Sequence, residues 1–319
     1  MKCVKCNKEI NNDAQFCPYC GTKQNDVIVE TEQIKKDVLP HESEITHEKK
    51  SSPPKGKNGG SKKWLWLLCF ILVLVCFTWW YVKDTREVKS FTVNGVSFNM
   101  VLVNGGTFTM GDTSDEGDDA NNNEVPTHSV TLNTYYIGET EVTQELWQAV
   151  MGSIPPGNIT TSKSSRKPVE NVSWNDCQEF VMRLNSQTGS NFRLPTEAEW
   201  EFAARGGNSS RDYMYSGSNS IDEVAWFCNN SNYVRNVAQK LPNELGLYDM
   251  SGNVKEWCQD WYGDYSSDSQ ENPIGPSFGD GRVVRGGGHN FDASSCSVTR
   301  RSEVTPDFSI EGLGLRLAL

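Results

Sequence analysis

The chain has 319 residues, with 30 lysines and arginines against 41 aspartates and glutamates, and a formal net charge of −11 at pH 7. Residues 1–90 carry 15 basic and 11 acidic side chains, whereas residues 91–319 carry 15 basic and 30 acidic ones, a net charge of 15 − 30 = −15. This acidic excess excludes non-specific binding of the second part to nucleic acid or to an anionic bilayer. The length fits about two domains, and composition shows where they divide.

The N-terminal segment 1–24 carries four cysteines, Cys3, Cys6, Cys17 and Cys20. Their spacing, two CxxC pairs, is typical of two turns that close a tetrahedral thiolate site around Zn²⁺. So short a segment has almost no core, and the metal would supply its folding free energy. Four thiolates leave no open coordination position, so the predicted zinc is structural; two disulfides are the alternative. The segment resembles the short zinc ribbons of bacterial membrane proteins.

Residues 25–63 are rich in Lys, Glu, Asp, Ser, Pro, Gly and Asn, which is typical of a flexible linker. The following run, WLWLLCFILVLVCFTWWYV at residues 64–82, has no charged residue. Its length nearly matches a hydrocarbon core of about 30 Å, and aromatic residues crowd its ends, so it predicts a single transmembrane helix. The alternatives are a buried core helix, disfavoured by the uniform apolarity, and a signal peptide, disfavoured by the long segment before the run.

Basic residues predict the orientation of this helix. Six lysines lie in the twenty residues before it and three basic residues in the twenty after it. That bias favours a cytoplasmic N-terminus, which agrees with reduced thiols in the ribbon. We therefore expect a single-pass protein of the bacterial plasma (inner) membrane, with a juxtamembrane segment at 83–90 and a periplasmic or extracellular domain at 91–319.

The C-terminal domain opens with FTVNGVSFNMVLVNGGTFTMG, whose alternation and Asn-Gly and Gly-Gly pairs predict short strands joined by turns. Three helices are also predicted. Thr143 caps ELWQAVM, Ser173 with Asp176 caps WNDCQEFVMRLN, and Thr196 with Glu199 forms a capping box for EAEWEFAAR. The tryptophans of these helices are expected in the core. The rest is rich in Gly, Asn, Asp and Ser, so the fold class is α+β with much irregular structure.

Four motifs give the domain a family resemblance: LPTEAEWEFAARGG at 194–207, PNELGLYDMSGNVKEW at 242–257, RVVRGGG at 282–288, and the closing GLGLRLAL. In order and spacing they resemble the formylglycine-generating enzyme, or sulfatase-modifying factor, family across 91–319. The resemblance implies a variant of the C-type lectin fold. It also implies relatives that convert a sulfatase cysteine to formylglycine with oxygen and copper.

In the oxidases of this family two cysteines after a GGS turn bind copper, and two thiolates suit soft Cu(I). Here the turn reads GGGHNFDASSC, so Phe291 stands at the first cysteine position, Cys296 at the second, and Gly288 at the serine. A single thiolate is a poor copper site, and copper is not expected. Cys296 is the one candidate catalytic residue. His289 is a possible substitute ligand, although a lone imidazole on a turn is more often a packing residue.

The segment SGNVKEW resembles a calcium site of the family. By match, the ligands are the side chains of Asn253 and Glu256 and the carbonyl of Val254. Oxygen ligands suit a hard cation, and the acidic domain favours it. Alternatively, Asn253 and Glu256 only satisfy a turn and the start of an element. For a second family site, only Asn229 or Asn230 offers an equivalent.

The cysteines of the predicted outer domain leave the disulfide state open. Two disulfides with three connectivities are possible among Cys177, Cys228, Cys258 and Cys296. The sequence does not choose among them.

Two functions remain open. The first is a membrane-anchored, non-oxidase binding or maturation scaffold that displays its loop from Gly286 to Ile310 to a protein, peptide or glycan. In this hypothesis the zinc ribbon binds a cytoplasmic protein partner, and no nucleic acid is expected. The second is a formylglycine-generating oxidase that uses Cys296. A variant of the first has a diversified loop at 288–312, as in retroelement-variable proteins that share the fold.

Overall fold

The computed structural model describes residues 86–112, 123–156 and 166–319. The chain divides into two compact units, Met1–Val73 and Leu74–Leu319, and all described residues belong to the second. The predicted zinc ribbon, linker and transmembrane helix lie outside the described residues. Among the residues that are described, no helix is long and apolar enough to cross a membrane.

The first strands form where the alternation predicts them: β1 (Val88–Val93), β2 (Val96–Val103) and β3 (Gly106–Met110). Asn94 and Gly95 join β1 to β2 with φ values of 47° and 85°, the left-handed conformation that a two-residue hairpin turn requires. β5 (Tyr135–Gly138) pairs with β2, so the first sheet has the order β1-β2-β5. The predicted strands and turns are confirmed.

Two further sheets complete the strand structure of the described residues. One has the order β3-β4-β7, with β4 at His128–Leu132 and β7 at Gln270–Glu271. The other has the order β10-β6-β8-β9, with β6 at Lys255–Trp261, β8 at Arg282–Arg285, β9 at Arg301–Val304 and β10 at Leu313–Leu315. β10 runs parallel to β6, and the other pairs of this sheet are antiparallel. The result is the mixed fold with several small sheets that the sequence predicts.

The three predicted helices are α1 (Gln144–Met151), α2 (Trp174–Thr188) and α3 (Glu197–Ala204); a fourth, α4 (Ile221–Val224), is a single turn. The Thr143 hydroxyl accepts a hydrogen bond from the Leu146 amide. Ser173 with Asp176, and Thr196 with Glu199, form reciprocal capping boxes at the other two helices. All three predicted caps are confirmed.

The tryptophans of the helices differ in their surroundings. Trp147 is 3% exposed and stacks on Phe180 at 4.9 Å, and Trp200 is fully buried, so both are core residues as predicted. Trp174 is only half-buried, and the Arg282 guanidinium lies 3.9 Å from its ring centroid. Trp174 packs against the edge of the core, and its indole donates to the carbonyl oxygen of the buried Cys258 at 3.0 Å, so the prediction holds for it only in part.

A buried ion pair connects the residue directly after β10 to β6. Arg316 and Glu256 are both fully buried, with 2.7 Å between Arg316 Nη2 and Glu256 Oε1. Arg316 also donates to the carbonyl oxygens of Gly138 and Tyr248, each at 2.8 Å. Glu256 Oε2 accepts a hydrogen bond from the Trp200 indole at 2.6 Å. The pair thus links two sheets, helix α3 and the loop before β6.

Two other buried arginines have carboxylate partners. Arg285 contacts Glu201, and both side chains are fully shielded from solvent. Arg301 pairs with Glu197, with 2.7 Å between Nε and Oε1. A buried charge without its partner is strongly destabilising, so each pair constrains the position of the strand that carries its arginine.

The Arg316–Glu256 pair yields a stability prediction. Arg316→Met keeps most of the side-chain volume but leaves the Glu256 carboxylate buried without a counter-charge. We expect the free energy of unfolding, measured by urea titration, to fall by about 3–5 kcal/mol. Arg183→Gln, which breaks the exposed pair with Glu179, serves as control and should cost less than about 1 kcal/mol. Equal losses in the two variants would contradict the assigned role of Arg316.

Candidate functional site

A glycine turn leads from β8 to the segment that contains Cys296. Gly286 and Gly287 have φ values of 91° and 67°, which glycine adopts without strain. A Cβ atom at Gly287 would lie 2.6 Å from the Cys296 sulfur. The turn therefore needs glycine here for the sulfur to approach the backbone.

Cys296 itself is fully buried at the end of a short 3-10 turn, Ser294–Cys296. Its thiol lies 3.5 Å from the Asp292 carbonyl oxygen, to which it donates, and the Gly288 amide hydrogen-bonds to the sulfur. Burial raises the pKa of Cys296 to about 12, although the Gly288 amide opposes the shift. The thiolate, not the thiol, is the nucleophile and the metal ligand. At neutral pH this side chain is therefore a protonated, inert thiol.

The two other positions of the family's oxidase site carry no ligand. Phe291 is half-buried, and Lys255 Nζ lies 3.9 Å from its ring centroid. The Phe291 carbonyl accepts a hydrogen bond from the Cys228 amide at 2.9 Å. A Cβ at Gly288 would lie 3.3 Å from the Asn253 carbonyl oxygen, so a serine there would need a small shift of its neighbours. The Phe291 ring, with the Lys255 ammonium group over it, therefore occupies the position of the first cysteine.

His289 is a packing residue, as the more frequent outcome for a lone imidazole suggests. It is 2% exposed; its Nδ1 lies 3.2 Å from the Asn253 carbonyl oxygen and its Nε2 lies 3.9 Å from Glu311 Oε1. No three His, Cys, Asp or Glu side chains are grouped to hold a metal ion in the part of the chain that the structure describes.

The four cysteines of the domain are all unpaired. Cys177, Cys258 and Cys296 are buried, whereas Cys228 is exposed. Burial raises the pKa of Cys177 and of Cys258 well above the usual thiol range. None of the disulfide connectivities that the sequence leaves open is formed among them.

Two of the three predicted calcium ligands, the side chains of Asn253 and Glu256, are already engaged. Asn253 Oδ1 accepts a hydrogen bond from the Arg235 amide at 2.9 Å. Both carboxylate oxygens of Glu256 accept from Arg316. These side-chain oxygens do not fit a cation site, because each would first have to leave a protein partner. The calcium site remains a prediction that the contacts do not support.

The segment before β10 is displayed at the surface. Phe308 and Ile310 are 51% and 47% exposed, and Glu311 is also exposed. The Gly312 amide donates to the buried Glu170 carboxylate at 2.7 Å. The loop is therefore exposed along its length and fixed where it returns to the core.

Sequence reasoning missed a cluster of cations on aromatic rings. The Arg235 guanidinium lies 4.2 Å from the Tyr233 ring and 5.0 Å from the Trp226 ring. Lys240 Nζ lies 4.1 Å from the Trp226 ring, and Lys167 Nζ lies 5.3 Å from the Tyr233 ring. We call these five residues the aromatic–cation cluster. Four of them lie within fifteen residues of sequence, a signal that could have suggested it.

A cavity of about 330 Å³ lies away from the glycine turn at Gly286 and Gly287. His128, Asp260, Tyr265 and Arg301 are among the residues that line it. Asp260 is 4% exposed and accepts a hydrogen bond from the Glu197 amide at 2.9 Å. Burial, reinforced by the Glu197 carboxylate, raises the pKa of Asp260 to about 8. The carboxyl group is therefore largely protonated at neutral pH. This accounts for a buried acid without a cation beside it.

Thiol labelling tests the description of Cys296. With the folded protein at neutral pH, a maleimide reagent should modify Cys228 first, because its thiol is exposed. Cys177, Cys258 and Cys296 should react only after denaturation, since burial keeps them protonated and covered. Peptide mapping by mass spectrometry reads out the sites. Labelling of Cys296 as fast as Cys228 would contradict the buried, neutral thiol.

Asp260 predicts a pH dependence of stability. Its pKa is raised in the folded protein, so its contribution is complete below the ordinary carboxyl range and is lost as pH rises through about 8. Asp260→Asn keeps the acceptor for the Glu197 amide and removes the titration. Relative to the wild type, it should gain about 1–3 kcal/mol in the free energy of unfolding between about pH 5 and about pH 9. Asp264→Asn, an exposed neighbour, should show no such gain; parallel profiles for both variants would refute the assignment.

Comparison with known proteins bears on both parts of the chain. The family model of the sulfatase-modifying factor enzyme 1-like domain matches residues 85–319, and that of a zinc-ribbon domain matches residues 2–24. The chaperone protein LppX of Paenibacillus barcinonensis is 34% identical over 270 residues, covering 69% of this chain and 87% of the relative. The formylglycine-generating enzyme of Streptomyces coelicolor is 32% identical over 284 residues, covering 68% and 88%.

Solved structures agree with these matches. Treponema denticola variable protein 1 superposes with a TM-score of 0.66 at 34% identity, covering 73% of this chain and 99% of that one. PvdO from Pseudomonas aeruginosa has a TM-score of 0.63 at 24% identity, covering 74% and 99%, which shows a shared fold. The chain therefore belongs to the sulfatase-modifying factor enzyme 1-like family and carries an N-terminal zinc-ribbon domain.

Proposed function

We propose that the family domain acts as a non-oxidase binding or maturation scaffold. The observation that carries the proposal is the pair of Phe291 and Lys255, which fills the place of the first copper cysteine. The remaining thiol, Cys296, is buried and protonated at neutral pH, and burial raises its pKa to about 12. A site without two accessible thiolates is poorly suited to Cu(I) and oxygen.

Relatives support both a scaffold and an enzyme. One similar protein carries the name chaperone protein LppX, and another is a formylglycine-generating enzyme. The exposed apolar side chains at Phe308 and Ile310 favour a role in contact with a partner, because they present apolar surface to solvent. The partner in this proposal is a protein, peptide or glycan bound at the loop from Gly286 to Ile310.

We further propose the cellular arrangement that the sequence predicts. Residues 64–82 anchor the protein in the bacterial plasma membrane, and the zinc ribbon at 1–24 faces the cytoplasm. There its four cysteines hold a structural zinc ion, and the ribbon binds a cytoplasmic protein. The family domain faces the periplasm or the cell exterior. Support comes from the uncharged run and the lysines that precede it.

The alternative function is the oxidase, and a copper assay separates the two. The purified full-length chain is incubated with Cu(I), oxygen and a CxPxR peptide. We expect neither copper uptake by the family domain nor mass loss at the peptide cysteine. The four cysteines of the zinc ribbon also offer thiolates to copper. A chelator-competition titration of a variant with these cysteines replaced by serine therefore measures the copper bound by the family domain alone.

A variant that adds the missing cysteine provides a second test of copper binding. Phe291→Cys places a second thiol at the missing position, and we expect at least about tenfold tighter Cu(I) binding than in the wild type, since two thiolates suit the ion. Adding Cys296→Ala should abolish the gain, and Phe308→Cys, an exposed control, should not produce it. Peptide oxidation by the wild type that disappears in Cys296→Ala would overturn the scaffold proposal.

A further inference from the structure

The cations of the aromatic–cation cluster stand apart from most others in the domain. Within the described ranges, Lys167, Arg235 and Lys240 form no ion pair, whereas eight other arginines have a carboxylate within 4.0 Å. The domain as a whole has twice as many acidic as basic residues. Three cations without a carboxylate within 4.0 Å thus lie close together in an acidic domain.

Hydrogen bonds and ring contacts hold these cations in position. Arg235 Nε donates to the Ser231 hydroxyl at 2.9 Å, and its guanidinium contacts both the Tyr233 and the Trp226 rings. Lys240 Nζ donates to the Asp222 carbonyl oxygen at 2.5 Å while lying over the Trp226 ring. Cation–π contacts of this kind are favourable and restrict the motion of the side chains. The positive groups are thus ordered before any anion arrives, which lowers the entropy cost of binding one.

The cluster adjoins the turn that contains Cys296. The Asn253 amide donates to the Trp226 carbonyl oxygen at 2.8 Å, and its side-chain oxygen accepts from the Arg235 amide at 2.9 Å. The Asn253 carbonyl oxygen accepts from the His289 amide at 2.8 Å. One buried residue therefore contacts both the cluster and the loop. In addition, the indole N–H of Trp226 is shielded and lacks a hydrogen-bond partner among the described residues, which leaves an unused donor at the cluster.

Charge and ring geometry together select the ligand. A nucleic acid or an anionic bilayer extends well beyond three cations, and the acidic remainder of the domain would repel it. A sugar needs an open aromatic face, but the Trp226 and Tyr233 rings carry the protein's own cations. A short segment with carboxylates meets neither obstacle, and Leu241, 59% exposed, offers apolar contact beside it.

We propose that the aromatic–cation cluster binds a short acidic peptide segment, whose aspartate or glutamate carboxylates pair with Lys167, Arg235 and Lys240. The guanidinium of Arg235 matches a carboxylate in shape, and the two ammonium groups take neighbouring carboxylates. This inference rests on the proposed scaffold function and names the chemistry of its partner. The acidic segment belongs to the protein that the scaffold holds.

Fluorescence anisotropy with a labelled tetraglutamate peptide tests the proposal on the full-length chain. We expect saturable binding that weakens as salt is raised, and at least about tenfold weaker binding of a matched tetraglutamine peptide, because rigid charge pairs determine the affinity. The variant Lys167→Gln/Arg235→Gln/Lys240→Gln should lose at least about tenfold in affinity. The matched control Arg183→Gln/Arg211→Gln, which removes exposed cations elsewhere, should bind as the wild type does.

Several outcomes would overturn the proposal: no saturable binding of tetraglutamate, equal affinity in the cluster variant, or tighter binding of an oligodeoxynucleotide or of anionic vesicles. If the triple variant unfolds, Lys240→Gln alone and the salt dependence of the wild type decide, since Lys240 ends at the surface. If the cluster does not bind tetraglutamate and the copper assay shows no oxidation, only the proposed ligand chemistry is refuted. Peptide oxidation in the copper assay refutes the scaffold function itself.

Discussion

The ion pair between Arg316 and Glu256 is the constraint on which the domain depends. The Arg316 guanidinium, directly after the last strand, donates to backbone carbonyl groups of the first sheet and of the loop before β6. The Glu256 carboxylate takes the indole hydrogen bond of Trp200 from helix α3. Regular structure is sparse in this fold, so few backbone ladders connect its parts. One fully buried pair with several hydrogen bonds does much of that connecting.

The same pair determines how the neighbouring segment is used. Because Glu256 is committed to Arg316, the SGNVKEW segment acts as a structural joint in this chain. Asn253 bridges loops through its amide, its side chain and its carbonyl group, and its φ of 59° shows the turn that this requires. Residues that resemble ligands in sequence thus serve as hydrogen-bond partners. The displayed loop and the aromatic–cation cluster both depend on that joint.

Local signals were sufficient for part of this structure. The Asn94–Gly95 hairpin and the caps at Thr143, Ser173 and Thr196 depend on residues a few positions apart, and each formed as the sequence predicts. Long-range partners were not predictable in this way. Arg316 lies 60 positions from Glu256, and nothing local distinguishes an aspartate or glutamate that will be buried from one that will be solvated.

In the candidate site, too, the sequence predicts local features and misses long-range contacts. Replacement of a copper ligand was visible at Phe291, because a motif fixes that position in sequence. The ammonium group over its ring, the burial of Cys296 and the location of Lys167 beside Tyr233 were not visible, since each depends on segments far apart in the chain. The contact between Trp174 of helix α2 and Arg282 of strand β8 was not predictable for the same reason.

The close approach of the Cys296 sulfur to Gly287 bears on which loop positions tolerate substitution. The contact of Cys296 with the glycine turn fixes one end of the loop, and the hydrogen bond from the Gly312 amide to Glu170 fixes the other. Between these two points Val298 and Arg301 are buried, whereas Phe308 and Ile310 are exposed, so only substitutions at the exposed positions leave the framework intact. The Cys296 sulfur thus helps to position the loop through its contact with the glycine turn, and changes at the exposed positions would leave that contact unaltered.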